Sequence, residues 1–270
     1  MNINAILSKE NISKEEEAIV VNALVKRLQI EFQKNDRSGI YGYTQRTMGY
    51  NSNKIEGSTL TPAQTASLFD TGSIRSSGEM MFRAKDVEEM TGHFVMFNKI
   101  LSTLSEPLSE SMIKEFHSAL KAGVFEDIAN GYPIGEYKNR ANMVSDIRTS
   151  APSAVHEDMA NLLRCYEPDR KHTLEEIAAL HAGYEQIHPF QDGNGRTGRA
   201  LVFRECLRSE IIPVIIKDER KADYYHALHD AQIDRNDTNL MKLFAQDQAE
   251  YMLALKEFLP VYDPRPVDGK

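Results

Sequence analysis

Apolar side chains recur at helical spacing through most of the chain, and this pattern predicts an all-α fold. Ser13, followed three residues later by Glu16, forms a capping box that begins the first long helix. The apolar stripe of this helix consists of Val21, Leu24, Val25, Leu28 and Phe32. Further helices are predicted near residues 84–102, 109–121, 154–166 and 239–259.

Three stretches interrupt the helical pattern. Residues 71–78 are rich in Gly and Ser and predict a boundary between an N-terminal helical region, 1–78, and a core domain, 79–260. Residues 211–216 are apolar and have strand propensity, but Pro213 favours a buried connector. The last residues, 261–270, are predicted to form an extended tail.

Two helices flank the segment that carries most of the candidate chemistry. Thr173 and Glu176 form a capping box at the start of the first helix. This helix should end near His188, because Pro189 cannot donate a backbone hydrogen bond. The second helix is predicted from about Thr197 to Ser209.

The loop between these helices runs from His188 to Arg199 and reads H-P-F-Q-D-G-N-G-R-T-G-R. Gly193 and Gly195 can adopt backbone angles that other residues avoid. Their amides, together with that of Asn194, could form a nest for anionic oxygens. Because the loop leads into a helix N-terminus, the sequence predicts a phosphate-binding site.

The side chains of the loop suit phosphoryl or nucleotidyl transfer. His188 is a candidate general base, since an imidazole accepts a proton near neutral pH. Asp192 suits Mg²⁺, which prefers oxygen ligands and often binds one or two carboxylates plus substrate phosphates. Asn194 can donate to a phosphate oxygen, and Arg196 and Arg199 can bind the outer phosphates.

Two other interpretations of the loop fit less well. His188 and Asp192 suggest a zinc site, but no third His or Cys lies at a ligand spacing. Residues 193–198 match the dinucleotide pattern G-x-G-x-x-G, with Asp218 about twenty residues beyond. That pattern requires a preceding strand, whereas a capped helix is predicted here, so we reject it.

The loop resembles the signature of the Fic (filamentation induced by cAMP) family, H-x-F-x-[D/E]-G-N-G-R-x-x-R, at every defining position. The resemblance implies a helical bundle with a β-hairpin flap beside the active site and transfer of AMP from ATP to a protein hydroxyl. It implies that His188 deprotonates the Ser, Thr or Tyr hydroxyl of the target and that Asp192 holds Mg²⁺. Asn194 and the nest amides would receive the α-phosphate, and Arg196 and Arg199 would bind the β- and γ-phosphates.

Similarity to the family extends over roughly residues 90–260. Residues 135–138, Gly-Glu-Tyr-Lys, resemble the family's G-x-Y-R stretch, with lysine in place of the commoner arginine. Residues 143–152 occupy the place of the flap, although their own pattern favours a loop. Tyr224 and Tyr225 resemble a segment that often lines the adenine pocket; the alternative is an amphipathic helix that buries Tyr225 and Leu228.

A second motif lies upstream, where Ser52–Gly57 fit the family's inhibitory pattern [S/T]-x-x-x-E-[G/N]. The resemblance implies that Glu56 pairs with Arg199 and occupies the guanidinium that the γ-phosphate needs. Thr61, with Pro62 and Gln64, predicts the start of the next helix, so Glu56 should lie in the last turn of the preceding one. The alternative is a solvated surface glutamate.

Composition restricts the setting. A net charge of −8 and a pI near 5.6 argue against a nucleic-acid partner. Cys165 and Cys206 lie beside apolar residues and are predicted to be buried thiols in a reducing compartment. The N-terminus lacks the pattern of a signal peptide, and no apolar stretch approaches the ~20 residues that span a bilayer. These features favour a cytoplasmic protein, and the resemblance is consistent with a homo-oligomer.

Three functional hypotheses follow. The first is a self-inhibited protein adenylyltransferase that uses ATP and releases pyrophosphate. The second is the reverse reaction, in which Glu56 activates water to remove AMP from a modified target. The third is a nucleotide-binding regulatory module without turnover, which would need neither His188 nor Asp192.

Overall fold

A computed structural model describes residues 3–74, 82–144 and 147–260 of the chain. Its helices are α1 (Ile3–Leu7), α2 (Lys14–Gln33), α3 (Ile40–Ile55), α4 (Pro62–Thr71), α5 (Ala84–Ser102), α6 (Glu110–Lys121), α7 (Phe125–Ala129), α8 (Val155–Tyr166), α9 (Leu174–Ile187), α10 (Asn194–Arg208), α11 (Lys221–Ile233) and α12 (Thr238–Phe258). A 3₁₀ turn, Asp218–Arg220, precedes α11. The predicted all-α class is confirmed.

Helix starts follow the capping signals of the sequence. Ser13, Thr61 and Thr173 each accept a hydrogen bond from the backbone three residues later, and each capping box is complete. The four helices predicted from the apolar pattern lie within about two residues of their expected bounds. Residues 211–216 form no strand, and their side chains are mostly buried, as expected for a connector.

Helix α10 is the central element of the bundle. Every residue from Arg196 to Leu207 is buried, so this helix has no solvent face. α9 lies alongside it, and α2, α3, α5 and α6 also pack against it. The ring centroids of Phe203 on α10 and Phe97 on α5 are 5.5 Å apart. Because α10 is held from several directions, its N-terminal turn is a rigid platform for the loop that precedes it.

Helices from both ends of the chain contribute to one apolar core. Val21 and Leu28 of α2 and Met48 of α3 belong to the same cluster as Phe97 and Leu255. The division at residue 78 stays a prediction, because part of the proposed boundary, 75–78, lies outside the described residues. The predicted tail, 261–270, also lies outside them.

A short antiparallel pair lies where the resemblance placed the flap. Strands β1 (Met143–Val144) and β2 (Ile147–Arg148) pair in the register Met143 with Arg148 and Val144 with Ile147. The residue pattern alone favoured a loop here, and that interpretation was wrong, because backbone pairing needs no alternation of apolar side chains in so short a ribbon. A role in holding a target segment stays a prediction.

The prediction of two buried thiols was wrong for Cys165, which is exposed, and right for Cys206. Helix α8 turns its apolar face inward through Val155, Met159 and Leu163. Cys165 lies on the opposite face, so its apolar neighbours in sequence do not shield it. Among the described residues, no helix combines the length and the apolar character needed to cross a bilayer.

Candidate active site

The loop between α9 and α10 is fixed at both ends by its backbone. His188 caps α9 in a left-handed conformation (φ 52°, ψ 62°), and its N–H donates to Tyr184 O at 2.9 Å. Gly193, also left-handed (φ 83°), is the N-cap of α10. The helix therefore begins at Asn194 rather than near Thr197 as predicted, because a positive-φ glycine replaces the usual Ser, Thr or Asp cap.

Asn194 holds the loop closed. Its side-chain Oδ1 accepts from Phe190 N, and its Nδ2 donates to Phe190 O, both at 2.8 Å. The Asn194 side chain therefore makes its hydrogen bonds within the loop, and the phosphate contact predicted for it stays a prediction. Its backbone amide, in the first turn of α10, is a further candidate donor to an anion.

Phe190 anchors the middle of the loop in the core. Its fully buried ring stacks on His117, with centroids 3.8 Å apart and planes at 3°. His117 Nδ1 accepts from Gly135 N at 2.9 Å, so Nε2 carries the proton and donates to Asp192 O at 3.0 Å. Burial lowers the pKa of His117 to about 4, which keeps this ring neutral.

The base candidate His188 has a side chain that is 19% exposed. Burial lowers its pKa to about 4, although a hydrogen bond to the Glu185 carbonyl opposes this shift. His188 is therefore neutral near pH 7 and able to accept a proton. Lys138 stabilises the backbone beside it, since Lys138 Nζ donates to Ile187 O at 3.3 Å and Lys138 N donates to Pro189 O at 2.8 Å.

The metal candidate Asp192 lies in a cluster of opposite charges. Lys121 Nζ is 2.8 Å from Asp192 Oδ2, 2.5 Å from Glu89 Oε1 and 2.6 Å from Asp127 Oδ2. Burial disfavours the Asp192 carboxylate, but Arg196 and Lys121 outweigh this effect and hold its pKa well below the usual range.

These three carboxylates fit the chemistry of a divalent cation. One oxygen from each of Glu89, Asp127 and Asp192 lies within 4.8 Å of the others, and such hard oxygen donors suit Mg²⁺. Asp192 is the most accessible of the three, with 34% of its side chain exposed. The Lys121 ammonium now supplies the positive charge that a cation would bring.

The outer arginine, Arg199, is bound by the predicted inhibitory segment. Its Nη2 lies 2.7 Å from Glu56 Oε1 and 2.9 Å from Ser52 O, and its Nε donates to Ser52 Oγ at 3.0 Å. Burial opposes ionisation of Glu56, yet Arg199 and Arg196 lower the pKa of this carboxyl below its ordinary value. Both charges are therefore present at neutral pH.

Glu56 also lies on the N-terminal turn of α10. A Cβ added to Gly195 would fall 2.4 Å from Glu56 Oε1, so the carboxylate rests directly against this glycine. A helix N-terminus favours negative charge. The Glu56 carboxylate therefore occupies the region that the sequence assigned to a polyphosphate.

The inner arginine, Arg196, is paired differently. Its guanidinium forms an ion pair with Glu89 and lies 3.5 Å from Asp192 Oδ1 and 3.4 Å from Asn53 Oδ1. A cavity of about 530 Å³ opens beside Arg196, Asp192 and Glu56. The loop, α3 and α5 thus surround one polar pocket.

The two tyrosines of the predicted adenine segment differ in burial. Tyr224 is buried, and its OH lies 2.7 Å from His181 Nε2, whereas Tyr225 is 40% exposed. The amphipathic alternative expected Tyr225 and Leu228 to be buried; it was right for Leu228 and wrong for Tyr225, because α11 buries Tyr224, Ala227 and Leu228. An adenine contact stays a prediction for both residues.

Sequence reasoning missed five residues of this site: Glu89, His117, Lys121, Asp127 and Glu185. His117 and Lys121 are four residues apart on α6, so they share a face that also carries apolar residues. No motif distinguishes such positions from ordinary amphipathic packing. The packing of α5, α6 and α7 beside the loop brings Glu89, His117, Lys121 and Asp127 to the site, and Glu185 reaches it from α9.

Comparison with known proteins agrees with this arrangement. The family model of the Fic/DOC family matches residues 107–205. The chain is 30% identical over 187 residues to Protein adenylyltransferase Fic of Nematostella vectensis, an alignment that covers 67% of this chain and 42% of that protein. It is 28% identical over 190 residues to Protein adenylyltransferase fic-1 of Caenorhabditis elegans, covering 68% and 36%.

Solved structures share the fold. A Fic domain containing signaling protein from Bacteroides thetaiotaomicron has a TM-score of 0.65 and 26% identity, covering 87% of this chain and 94% of that chain. Fic-1 from C. elegans has a TM-score of 0.69 at 20% identity, covering 90% and 71%. Fold and loop together define a Fic-type protein. The chain belongs to the Fic/DOC family, and it spans less than half the length of the two curated relatives above.

Proposed function

We propose that this protein is a self-inhibited protein adenylyltransferase, which transfers AMP from ATP to a Ser, Thr or Tyr hydroxyl of a target protein. The observation that carries the proposal is the Glu56 carboxylate on Gly195 and Arg199, at the N-terminus of the helix that follows an intact Fic loop. A carboxylate and a phosphate compete for the same positive groups. The names of the curated relatives support the same activity.

His188 acts as the base in the proposed reaction. It takes the proton of the target hydroxyl, whose oxygen then attacks the α-phosphorus as pyrophosphate leaves. Its neutral state and its fixed backbone support this role. The rate gain comes mainly from positioning and from stabilisation of phosphate charge.

The phosphates are received by the first turn of α10. The backbone amides of Asn194 and Gly195 face the α-phosphate, and Arg196 and Arg199 bind the outer phosphates after Glu56 has moved away. The third amide of the predicted nest, Gly193 N–H, donates to Asp192 Oδ1 at 2.7 Å and would have to leave this acceptor to join them. Mg²⁺, held by Asp192, would neutralise phosphate charge. The carboxylates of Glu89 and Asp127 beside Asp192 support this assignment.

ATP and a hydroxyl-bearing protein segment are the partners of this proposal. The β1–β2 pair offers backbone groups to an extended target peptide by β-augmentation. A cytoplasmic location and self-association belong to the proposal on the strength of the sequence and the family resemblance.

Transfer of label from ATP tests the function. Wild type, Glu56→Gly and the double variant Glu56→Gly/His188→Ala are incubated with α-labelled ATP and Mg²⁺. We expect label on protein in Glu56→Gly and its loss in the double variant. ATP binding without covalent label in every variant would instead identify a regulatory module.

Removal of AMP is the second candidate, because the Glu56 carboxylate is ionised and 29% exposed and could therefore accept a proton from water. It predicts that wild type strips AMP from a labelled target and that Glu56→Gly does not. A target that stays labelled with wild type excludes this reaction.

A further inference from the structure

Glu185, one helical turn before His188, faces the imidazole of the proposed base. Two of its oxygens lie on the same ring nitrogen: the backbone carbonyl is 3.3 Å from His188 Nδ1, and side-chain Oε2 is 3.7 Å from it. Among the described residues, no hydrogen bond is made by the opposite nitrogen, Nε2. Nδ1 is therefore directed into the protein, and Nε2 is the nitrogen left for a substrate.

The carboxyl group of Glu185 is buried without full compensation. The residue is 7% exposed, and Oε1 has no hydrogen-bond partner within the described part of the chain. A Cβ on Gly198 would fall 2.2 Å from Oε1, so this glycine provides the space that the carboxyl group fills. An unsatisfied buried polar group is costly, and its presence beside a catalytic base therefore suggests a function.

We propose that Glu185 is the positioning residue of the His188 base. Its backbone carbonyl accepts the Nδ1 proton, and its carboxyl group lies beside the same nitrogen, so that the lone pair of Nε2 points outward. When Nε2 takes the proton of the target hydroxyl, the O–H bond breaks, the N–H bond forms, and the oxygen bonds to the α-phosphorus as the bond to pyrophosphate breaks. The Glu185 carboxylate then stabilises the imidazolium, which later releases its Nε2 proton to water. This inference rests on the adenylyltransferase function proposed above.

The ionisation of Glu185 should be visible in the pH dependence of kcat. Burial raises the pKa of Glu185 to about 8, against the opposing effect of Arg199. The carboxyl group is thus mostly neutral below pH 8 and charged above it. Because the charged form stabilises the imidazolium, we expect kcat to rise as pH increases through about 8.

Other titratable groups face Glu185 and His188 from the neighbouring elements: His181, Tyr184, Glu56, Asp192, Arg199, Tyr224, Tyr225 and Lys138. Burial lowers the pKa of His181 to about 3 and raises those of the three tyrosines well above neutrality, whereas Arg196 and Lys121 hold the pKa of Asp192 well below its usual range. Of this group, Lys138 alone has a pKa near 8, lowered by burial. The experiment therefore has to distinguish the titration of Glu185 from that of Lys138.

The test uses the Glu56→Gly protein, in which adenylyl transfer is measurable, with and without Glu185→Gln. Above pH 8, where Glu185 is charged, we expect Glu185→Gln to lower kcat about 10- to 100-fold, because the amide preserves the shape but cannot carry the charge. The backbone carbonyl of residue 185 should still keep the proton of His188 on Nδ1. KM for ATP should change less than about twofold, and the rise in kcat near pH 8 should vanish. Lys138→Met should retain that rise.

Asp247→Asn is the matched control. Asp247, on α12, is also a buried acid, and burial raises its pKa to about 6. Unlike Glu185, it forms an ion pair with Arg220. We expect it to keep the pH profile of the parent. Melting temperatures accompany every variant, and Glu185→Gln should not lower the melting temperature, because it replaces a buried acid whose Oε1 has no hydrogen-bond partner among the described residues. If it fails to fold, Glu185→Met takes its place.

A second readout needs no activity. The ¹⁵N shifts of the His188 ring should report an Nδ1–H tautomer and a change with a midpoint near pH 8, and Glu185→Gln should abolish that change. The inference would be overturned if Glu185→Gln left kcat and its pH profile unchanged. It would also be overturned if the ¹⁵N shifts of the His188 ring had the same pH dependence in Glu185→Gln as in the parent. Absence of label from the Glu56→Gly parent would instead count against the proposed function, and the ring shifts would still decide the role of Glu185.

Discussion

Arg196 and Arg199 lie three residues apart on α10, yet their acidic partners differ in position and in burial. Glu56, at the end of α3, pairs with Arg199 and keeps 29% of its side chain exposed. Glu89, on α5, pairs with Arg196 and Lys121 and keeps only 8% exposed. The first pair can open at the edge of the pocket, whereas the second joins two buried cations.

This difference separates a removable contact from a structural one. Without Glu56, Arg199 still donates to Ser52 O and Ser52 Oγ, so the guanidinium stays in place with part of it free for a phosphate. Without Glu89, the buried charges of Arg196 and Lys121 lose a shared partner. We therefore expect Glu56 to control the rate of adenylyl transfer and Glu89 to contribute to the stability of the fold.

The largest effect is expected for Glu56→Gly. Adenylyl transfer should rise on the order of 100-fold, which corresponds to removing a lock worth about 2.7 kcal/mol. The rate of label incorporation from ATP measures it. Glu167→Gly is the matched control, because Glu167 also caps a helix but is exposed and pairs with Arg170. Equal rates in Glu56→Gly and wild type would remove the inhibitory role of Glu56.

Glu89→Gln should act on stability instead. Breaking a buried ion pair costs roughly 3 kcal/mol, so the denaturation midpoint should fall clearly. Transfer activity should not rise, since Glu56 still binds Arg199. Urea unfolding followed by circular dichroism measures the first effect. A gain of activity comparable to that of Glu56→Gly would show that both acids are inhibitory and would erase the contrast.

Ser52→Ala should raise the rate of adenylyl transfer slightly, by weakening the contact between Arg199 and the inhibitory segment. The variant removes the hydroxyl that accepts from Arg199 Nε but leaves the Ser52 carbonyl and Glu56 in place. The loss of one hydrogen bond, about 1 kcal/mol, predicts a gain in transfer rate of roughly fivefold. Initial rates at saturating ATP provide the comparison, and a gain as large as that of Glu56→Gly would assign the lock to the serine.

Between pH 6 and 8, the Glu56 lock should not change. The pKa of Glu56 is lowered in the folded protein, so its contribution is present above the unfolded value and is lost only as pH falls through the lower folded value. The ATP Kd of wild type, measured by calorimetry, should therefore be constant across this range. A tenfold change would mean that another group governs access to Arg199.

The sequence predicted the elements better than the contacts between them. Capping boxes at Ser13, Thr61 and Thr173 gave reliable helix starts, because each depends on neighbouring residues alone. The start of α10 was placed three residues late, since Gly193 carries no side-chain cap. The burial of Tyr224 and the exposure of Cys165 depend on which face of the helix packs against a neighbouring helix. The residue pattern of one helix does not determine that face.

The candidate site divides in the same way. The loop from His188 to Arg199 was recognisable because its chemistry is contiguous in sequence. Glu89, Lys121 and Glu185 were not, because each is a single polar position on a helix and belongs to no sequence motif. They become informative only when tertiary packing brings α5, α6 and α9 to one loop.

A crystal structure of the Glu56→Gly protein with ATP, Mg²⁺ and a target peptide tests the central claim most directly. We predict the outermost phosphate on Arg199, and His188 Nε2 within about 2.6–3.2 Å of a target hydroxyl in line with the α-phosphorus. Phosphates bound away from the first turn of α10, or an imidazole remote from the α-phosphorus, would contradict the account.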